Sequence, residues 1–138
     1  MVVAETYAKL SSANRLKVGC VIVKENRIIS IGYNGMPSGW DNNCEEECTD
    51  HFSDRMPRTE LRTRPEVLHA ETNAIAKVAQ SSESCYNSDL YTTTAPCLDC
   101  AKLIYQSGIK NVYYRTPHLR STDGIDFLGK CGIPVCQM

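Results

Sequence analysis

No apolar run in the chain approaches the length of a membrane-spanning helix, and the first residues lack the pattern of a secretory leader. Neither sign of charge dominates: 15 Lys and Arg stand against 16 Asp and Glu, a net charge of −1. There is therefore no global field for a nucleic acid, and any phosphate on a ligand has to be met by a local basic cluster. Internal repeats and low-complexity tracts are also missing. These absences lead us to expect a cytoplasmic protein with neither a membrane nor a nucleic-acid partner. At 138 residues, 42% hydrophobic and 22% charged, the chain is expected to form a single domain, 1–138, around one core. The eight cysteines are scattered, several of them in strand-like segments, and read as reduced thiols rather than a disulfide framework.

Four of the residues present carry a specific chemistry. His69-Ala70-Glu71 is followed, after a gap, by Pro96-Cys97-Leu98-Asp99-Cys100. One imidazole and two thiolates supply three ligands for a zinc ion. Tetrahedral zinc takes four, so one position remains for water, as in a catalytic rather than a structural site. Bound zinc brings the pKa of that water to about 7. Glu71, two residues after His69, is placed to move protons without being a ligand. Each half of the pattern is weak alone: His-x-Glu arises by chance, and Cys-x-x-Cys also serves as a redox pair or as half of a closed zinc site. A redox pair leaves His69 and Glu71 unexplained, and a closed zinc ribbon needs a second Cys-x-x-Cys, which the chain lacks. The combination in this order is the signature of zinc-dependent nucleobase deamination.

The surrounding pattern predicts helices that bring the two halves together. Leu68, Ala70, Ala74, Ile75, Val78 and Ala79 give residues 67–80 a buried-helix pattern, with Pro65 at the entry and His69 and Glu71 in the first turn. A second helix over 97–107 follows the strand 89–94, with Pro96 suited to a helix start and both cysteines on one face. The positive end of a helix favours thiolate over thiol. A helix over 2–12, a hairpin of strands 18–23 and 28–33, strands 110–114 and 133–136 and a short helix near 123–130 complete the order α-β-β-α-β-α-β-α-β. Residues 35–66 read as a long polar loop of functional character. The hairpin is antiparallel, and the later strand–helix–strand units imply parallel, right-handed crossovers. The expected fold is α/β, with a mixed five-stranded sheet flanked by helices.

These residues, with Lys17-Val18-Gly19-Cys20-Val21-Ile22-Val23, Gly32-Tyr33-Asn34-Gly35-Met36-Pro37-Ser38-Gly39, the run Thr94 to Lys102 and Ser107-Gly108-Ile109-Lys110, resemble the deoxycytidylate (dCMP) deaminases of the zinc-dependent cytidine deaminase superfamily. The resemblance covers roughly residues 4–136, and the chain is similar in its compactness to the phage-type members. It implies the cytidine deaminase-like three-layer fold, location in the host cytoplasm if phage-encoded, and hydrolysis of dCMP to dUMP and ammonia. Zinc would be held by His69, Cys97 and Cys100, with one catalytic ion per chain. Glu71 would carry protons from water to N3 of the base and to the leaving ammonia. The resemblance further implies substrate contacts at Asn34 and Ala70 and a stacking ring at Tyr114. Activation by dCTP, inhibition by dTTP, Mg²⁺ on the effector triphosphate, a homohexamer and an effector motif at Gly32, Tyr33, Asn34, Gly35 and Met36 also follow from it.

Some positions have a plainer alternative. Asn34 in Gly-Tyr-Asn-Gly also reads as a turn residue, and Tyr114 as ordinary strand packing. Arg15 and Lys17 are candidates for the 5′-phosphate, as are, more weakly, Arg115 and Arg120; solvated charges are the alternative. Cys44, Cys48 and His51 have metal-ligand spacing and match a second, structural zinc of some relatives. This chain has Ala13-Asn14-Arg15 where those relatives carry a further ligand, and free thiols are the competing reading. Rival functions are deamination of free cytidine, deoxycytidine, cytosine or tRNA adenosine, a non-catalytic nucleotide-binding relative, and a structural zinc module. Near-neutral charge argues against tRNA, intact Glu71 against a silent binder, and the lack of a fourth protein ligand against a structural module.

Overall fold

The computed structural model describes residues 1–50 and 58–138. The chain runs α1 (Val2–Ala8), β1 (Gly19–Lys24), β2 (Arg27–Tyr33), β3 (Glu45–Asp50), β4 (Arg58–Thr63), α2 (Ala70–Ala79), β5 (Asp89–Thr94), α3 (Leu98–Gln106), β6 (Asn111–Thr116), α4 (Asp123–Lys130) and β7 (Val135–Gln137). Five strands form the main sheet in the order β2-β1-β5-β6-β7, and β3 and β4 pair separately. β1 lies antiparallel to β2 and β5, while β5, β6 and β7 are mutually parallel. This is the mixed sheet expected from the sequence. The β1–β2 hairpin closes through Glu25 and Asn26, both with positive φ (49° and 60°), the backbone of the tight two-residue turn whose twist suits paired strands.

Alternation along the strands sorts the helices into layers. Cys20, Ile22, Leu90 and Val112 project to one face and form the main core with Ala70, Ala74, Ala101, Ile104 and Leu128 from α2, α3 and α4. Gly19 and its register partner Tyr33 point to the other face, where α1 packs. Both helices come close because the strands offer glycine at the crossing points. A Cβ on Gly19 would collide with the Ala4 carbonyl oxygen and lie 2.7 Å from the Ala8 nitrogen; one on Gly32 would meet the Ala70 carbonyl oxygen and lie 2.7 Å from the Ala74 nitrogen. The obstruction is backbone, which cannot rotate aside. We expect Gly19→Ala to destabilise the protein by at least about 2 kcal/mol, read as a lowered denaturant midpoint.

Several expected boundaries move, and one expected loop is a structured element. α1 stops at Ala8 rather than Ser12, because the Ser11 hydroxyl accepts the Ala13 N–H (3.2 Å) and turns the chain. α2 starts at Ala70, not at 67. Gly35 and Leu68 exchange backbone hydrogen bonds (3.1 and 2.9 Å), which keep the chain extended up to His69. α3 starts at Leu98, with Cys97 as its N-cap. β6 continues to Thr116, and β7 covers 135–137. The stretch 35–66 is not simply a loop: β3 and β4 form an antiparallel ribbon with Glu45 opposite Thr63. The alternation Glu60-Leu61-Arg62-Thr63 is a strand pattern that the charge content of the region obscures.

Candidate active site

His69 and Cys97 occupy equivalent places, each the extended N-cap of a helix (ψ 155° and 170°). Cys100 follows one turn into α3. The central strand β5 delivers Pro96-Cys97 at its carboxyl end, and the Gly35–Leu68 bridge delivers His69, so the two N-caps meet. His69 Nδ1 lies 3.6 Å from Cys97 Sγ and 3.3 Å from Cys100 Sγ, and all three donor atoms fall within 4.8 Å of one another. Zinc bonds to nitrogen and sulfur at tetrahedral angles put such atoms about 3.6 Å apart. The donor set and its spacing therefore suit a zinc ion. His69, expected in the first turn of a helix over 67–80, and Cys97, expected as the first residue of one over 97–107, both stand just before their helices as N-caps, where the side chain is free of the helical ladder.

The electrostatics agree with a ligand cluster. Hydrogen bonding from the Cys100 thiol, with the His69 ring alongside, lowers the Cys97 thiol to about 3. Cys100 is pushed the other way, first by its bond to Cys97 and then by burial, so in the absence of metal the pair shares one proton. The same sulfur of Cys97 raises His69. Glu71 is 4% exposed and its carboxylate accepts the Cys100 thiol at 3.6 Å. Burial raises its pKa, toward the range in which a carboxyl group both takes up and gives back a proton.

A cleft of about 640 Å³ opens over these groups, a size suited to a nucleotide-sized ligand. His69, Ala70, Glu71, Thr94 and Cys97 line its inner part, and Leu16, Val18 and Asn34 one side. Its exposed rim carries Arg15, Arg62 and Arg120, with His118 and Glu60. Arg62 and Glu60 alternate on β4 and were not singled out by the sequence, because the ribbon that carries them reads there as loop. Asn34 is buried at the cleft wall. Its Oδ1 accepts the Val18 N–H (2.7 Å) and its Nδ2 donates to the Leu16 carbonyl (2.9 Å), leaving one lone pair and one N–H for a ligand.

Other expected residues lie elsewhere. Tyr114 is not on the cleft wall. It would mark the end of a strand over 110–114, but β6 runs on to Thr116 and the rim is built from residues 118–120 beyond it. Lys17 is exposed outside the cleft, because Leu16 and Val18 on either side face inward along an extended segment. Arg115 belongs to the opposite face of the sheet, where it pairs with Glu5 of α1 at 2.9 Å. Gly32 is accounted for by the passage of α2, and Met36 packs on Ala13, Cys44 and Val67. The Tyr33 ring sits 5.8 Å from Lys77 Nζ.

All eight cysteines are free thiols. The spacing of Cys44 and Cys48 does not bring them together. The Arg64 N–H donates to the Cys44 carbonyl (2.9 Å), extending the β3–β4 ladder through Cys44. Four residues along an extended strand cover roughly 13 Å, far more than the edge of one coordination shell. Cys44 is buried against the Ser12 hydroxyl (3.2 Å) instead. His51, the third residue of that group, lies outside the described residues. No helix among the described residues is long and apolar enough to cross a membrane.

Residues 1–116 match the model of the cytidine and deoxycytidylate deaminase zinc-binding region. The chain is 37% identical over 150 residues to the deoxycytidylate deaminase of Enterobacteria phage T4, covering 86% of this chain and 77% of that one. It is 37% identical over 137 residues to the deoxycytidylate deaminase of Schizosaccharomyces pombe, with 99% of this chain matching only 42% of that longer protein. Among solved structures, the dCMP deaminase of cyanophage S-TIM5 in complex with dCMP and dUMP superposes with a TM-score of 0.85 at 44% identity, over 99% of this chain and 92% of that one.

Proposed function

The chain belongs to the cytidine and deoxycytidylate deaminase family, and from that premise we propose that it hydrolyses dCMP to dUMP and ammonia. The observation that carries this reading is the cleft itself: it is lined by His69 and Cys97 of the His/Cys/Cys donor set and by the buried carboxylate of Glu71, with three arginines at its rim. The inner end suits a cytosine ring, and the rim suits a 5′-phosphate.

His69, Cys97 and Cys100 hold zinc in this reading, one ion per chain. When bound, zinc lowers the pKa of a water to about 7 and so supplies the nucleophile at neutral pH. Glu71 takes a proton from the water that adds at C4 and passes a proton to N3. It then takes the remaining proton from the C4 hydroxyl and delivers it to the 4-amino group as the C–N bond breaks and the carbonyl forms. Its burial and raised pKa serve both directions of transfer. Asn34, through its remaining amide N–H and lone pair, and the Ala70 backbone orient the nucleoside. Arg15, Arg62 and Arg120 neutralise the phosphate. Arg62→Ala is expected to raise KM for dCMP about tenfold with little change in kcat, in steady-state assays of ammonia release.

The proposal extends to regulation by dCTP and dTTP with Mg²⁺, and to a homohexamer, on the strength of the Gly32-to-Gly39 motif. Its support is a short mechanical link: Gly35 holds Leu68 by two backbone hydrogen bonds, and the next residue is His69. Nothing lies within 4 Å of a Cβ built on Gly35, so Gly35→Ala places a methyl group in the open space a ligand would approach and leaves the core undisturbed. Ammonia release from dCMP, deoxycytidine, CMP and dCTP, each with and without dTTP and Mg²⁺, tests both parts. Turnover confined to dCMP and suppressed by dTTP is the expected result, with the suppression lost in Gly35→Ala. Efficient turnover of deoxycytidine would leave the zinc chemistry intact but remove the phosphate assignment. Sedimentation of the purified chain tests the hexamer.

A further inference from the structure

Glu45, at the start of β3, is a buried carboxylate (4% exposed) with no part in the proposed chemistry. Burying a carboxylate is costly unless donors replace its water. Its donors all come from one place: Oε1 accepts the backbone N–H groups of Asn14 (2.9 Å) and Arg15 (3.1 Å), and Oε2 accepts Nδ2 of Asn14 (3.4 Å). Directly across the β3–β4 ribbon, its register partner Thr63 accepts Nη1 of Arg15 at 3.3 Å. One rung of the ribbon thus grips Arg15 at both ends, by the backbone through Glu45 and by the guanidinium through Thr63. Arg15 lies on the cleft rim, and among the described residues no carboxylate forms an ion pair with it.

We propose that Glu45 is a positioning residue that fixes Arg15 at the cleft rim, so that the β3–β4 ribbon determines preference for a 5′-phosphorylated ligand over the bare nucleoside. The inference rests on the dCMP reading above. Residues 13–18 otherwise form an irregular connection between α1 and β1, and a long arginine on such a segment samples many orientations at an entropic cost to binding. The Glu45 and Thr63 contacts remove that freedom before a ligand arrives. Arg62 extends from the same strand as Thr63, so one element sets two of the three rim arginines.

The test is calorimetric titration of dUMP and of deoxyuridine into the zinc-loaded wild type, Glu45→Ala and Glu45→Gln, with zinc content measured for each. Glu45→Ala is expected to weaken dUMP about tenfold while leaving deoxyuridine affinity and zinc content unchanged. Glu45→Gln keeps an oxygen for both backbone N–H groups and should restore most of the loss. Unchanged dUMP affinity in folded Glu45→Ala, or equal weakening of both ligands, would overturn the proposal. If Glu45→Ala does not fold, Thr63→Val decides: it removes only the acceptor on the guanidinium and should weaken dUMP several-fold, and unaltered affinity there counts equally against the idea. A wild type that neither deaminates dCMP nor binds dUMP sinks the proposed function itself, whereas a wild type that binds dUMP with indifferent variants sinks only the role of Glu45.

Discussion

Glu71→Gln should lose activity on dCMP by about a thousandfold while retaining its metal and gaining stability. The loss follows from the geometry. Glu71 is the carboxylate beside the donor set, within reach of the Cys100 sulfur, and a glutamine of the same shape cannot exchange protons. General acid–base groups contribute roughly 10²- to 10⁴-fold, and this one is asked to serve more than one transfer. The gain in stability has a separate cause. Burial raises the folded-state pKa of Glu71 above its unfolded value. The unfolded chain therefore releases this proton at lower pH than the folded one, and stability falls as pH rises through the interval between the two values. Below the unfolded pKa of about 4.3 the carboxyl group is neutral in both states, and the penalty is absent. In metal-free protein the melting temperature of Glu71→Gln should thus exceed that of wild type by a margin that widens from acid toward neutral pH. A constant margin would exclude the ionisation of Glu71 as its source, and near-normal turnover by the variant would remove Glu71 from the mechanism.

Removing the metal should have an effect of similar size on activity and a larger one on the fold. Cys97 and His69 are N-caps of two different helices, and their contact is a junction between the halves of the structure. An ion held there at about a thousand times its dissociation constant adds about 4 kcal/mol to folded stability. Chelation should therefore abolish turnover and lower the melting temperature together, and zinc should restore both. Cys97→Ala should show the low melting temperature from the outset and fail to respond to zinc. The stoichiometry expected is one ion per chain, because the β-ribbon separates Cys44 from Cys48; two ions would require ligands drawn from outside that pair. Metal loading also displaces the thiol proton of Cys100, which its bond to Cys97 and its burial hold in place. For each proton displaced, apparent affinity falls about tenfold per unit decrease in pH. Titrations with a competing chelator at several pH values read this slope directly, and a flat profile would mean that both thiols are already ionised without metal.

The parts of the site legible in the sequence are those specified over short distances. His69 and Glu71 are two residues apart, Cys97 and Cys100 three, and each pair is carried by one helix start. Local chemistry alone therefore singles out the candidate metal ligands and the carboxylate beside them. The mixed character of the main sheet is equally readable, because the first hairpin is antiparallel and the periodic strands and helices that alternate after it imply parallel crossovers. Helix starts are less legible: the Gly35–Leu68 bridge, which delays α2 and frees His69 to point at the cysteines, joins segments far apart in the chain.

The basic rim of the cleft belongs wholly to tertiary structure. Arg15, Arg62 and Arg120 come from an irregular connector, a two-stranded ribbon and the segment beyond β6. No spacing rule links them, and Lys17 and Arg115, as basic and as near in sequence to the core elements, are turned out by strand alternation and by the α1 face of the sheet. What the chain's sequence determines by itself is the donor set and its neighbouring carboxylate, because His69 and Glu71 share one helix start and Cys97 and Cys100 another. Which charges stand at the cleft's outer rim is decided only when β3 and β4 pair, because that pairing sets Glu45 against Thr63 and the two of them against Arg15.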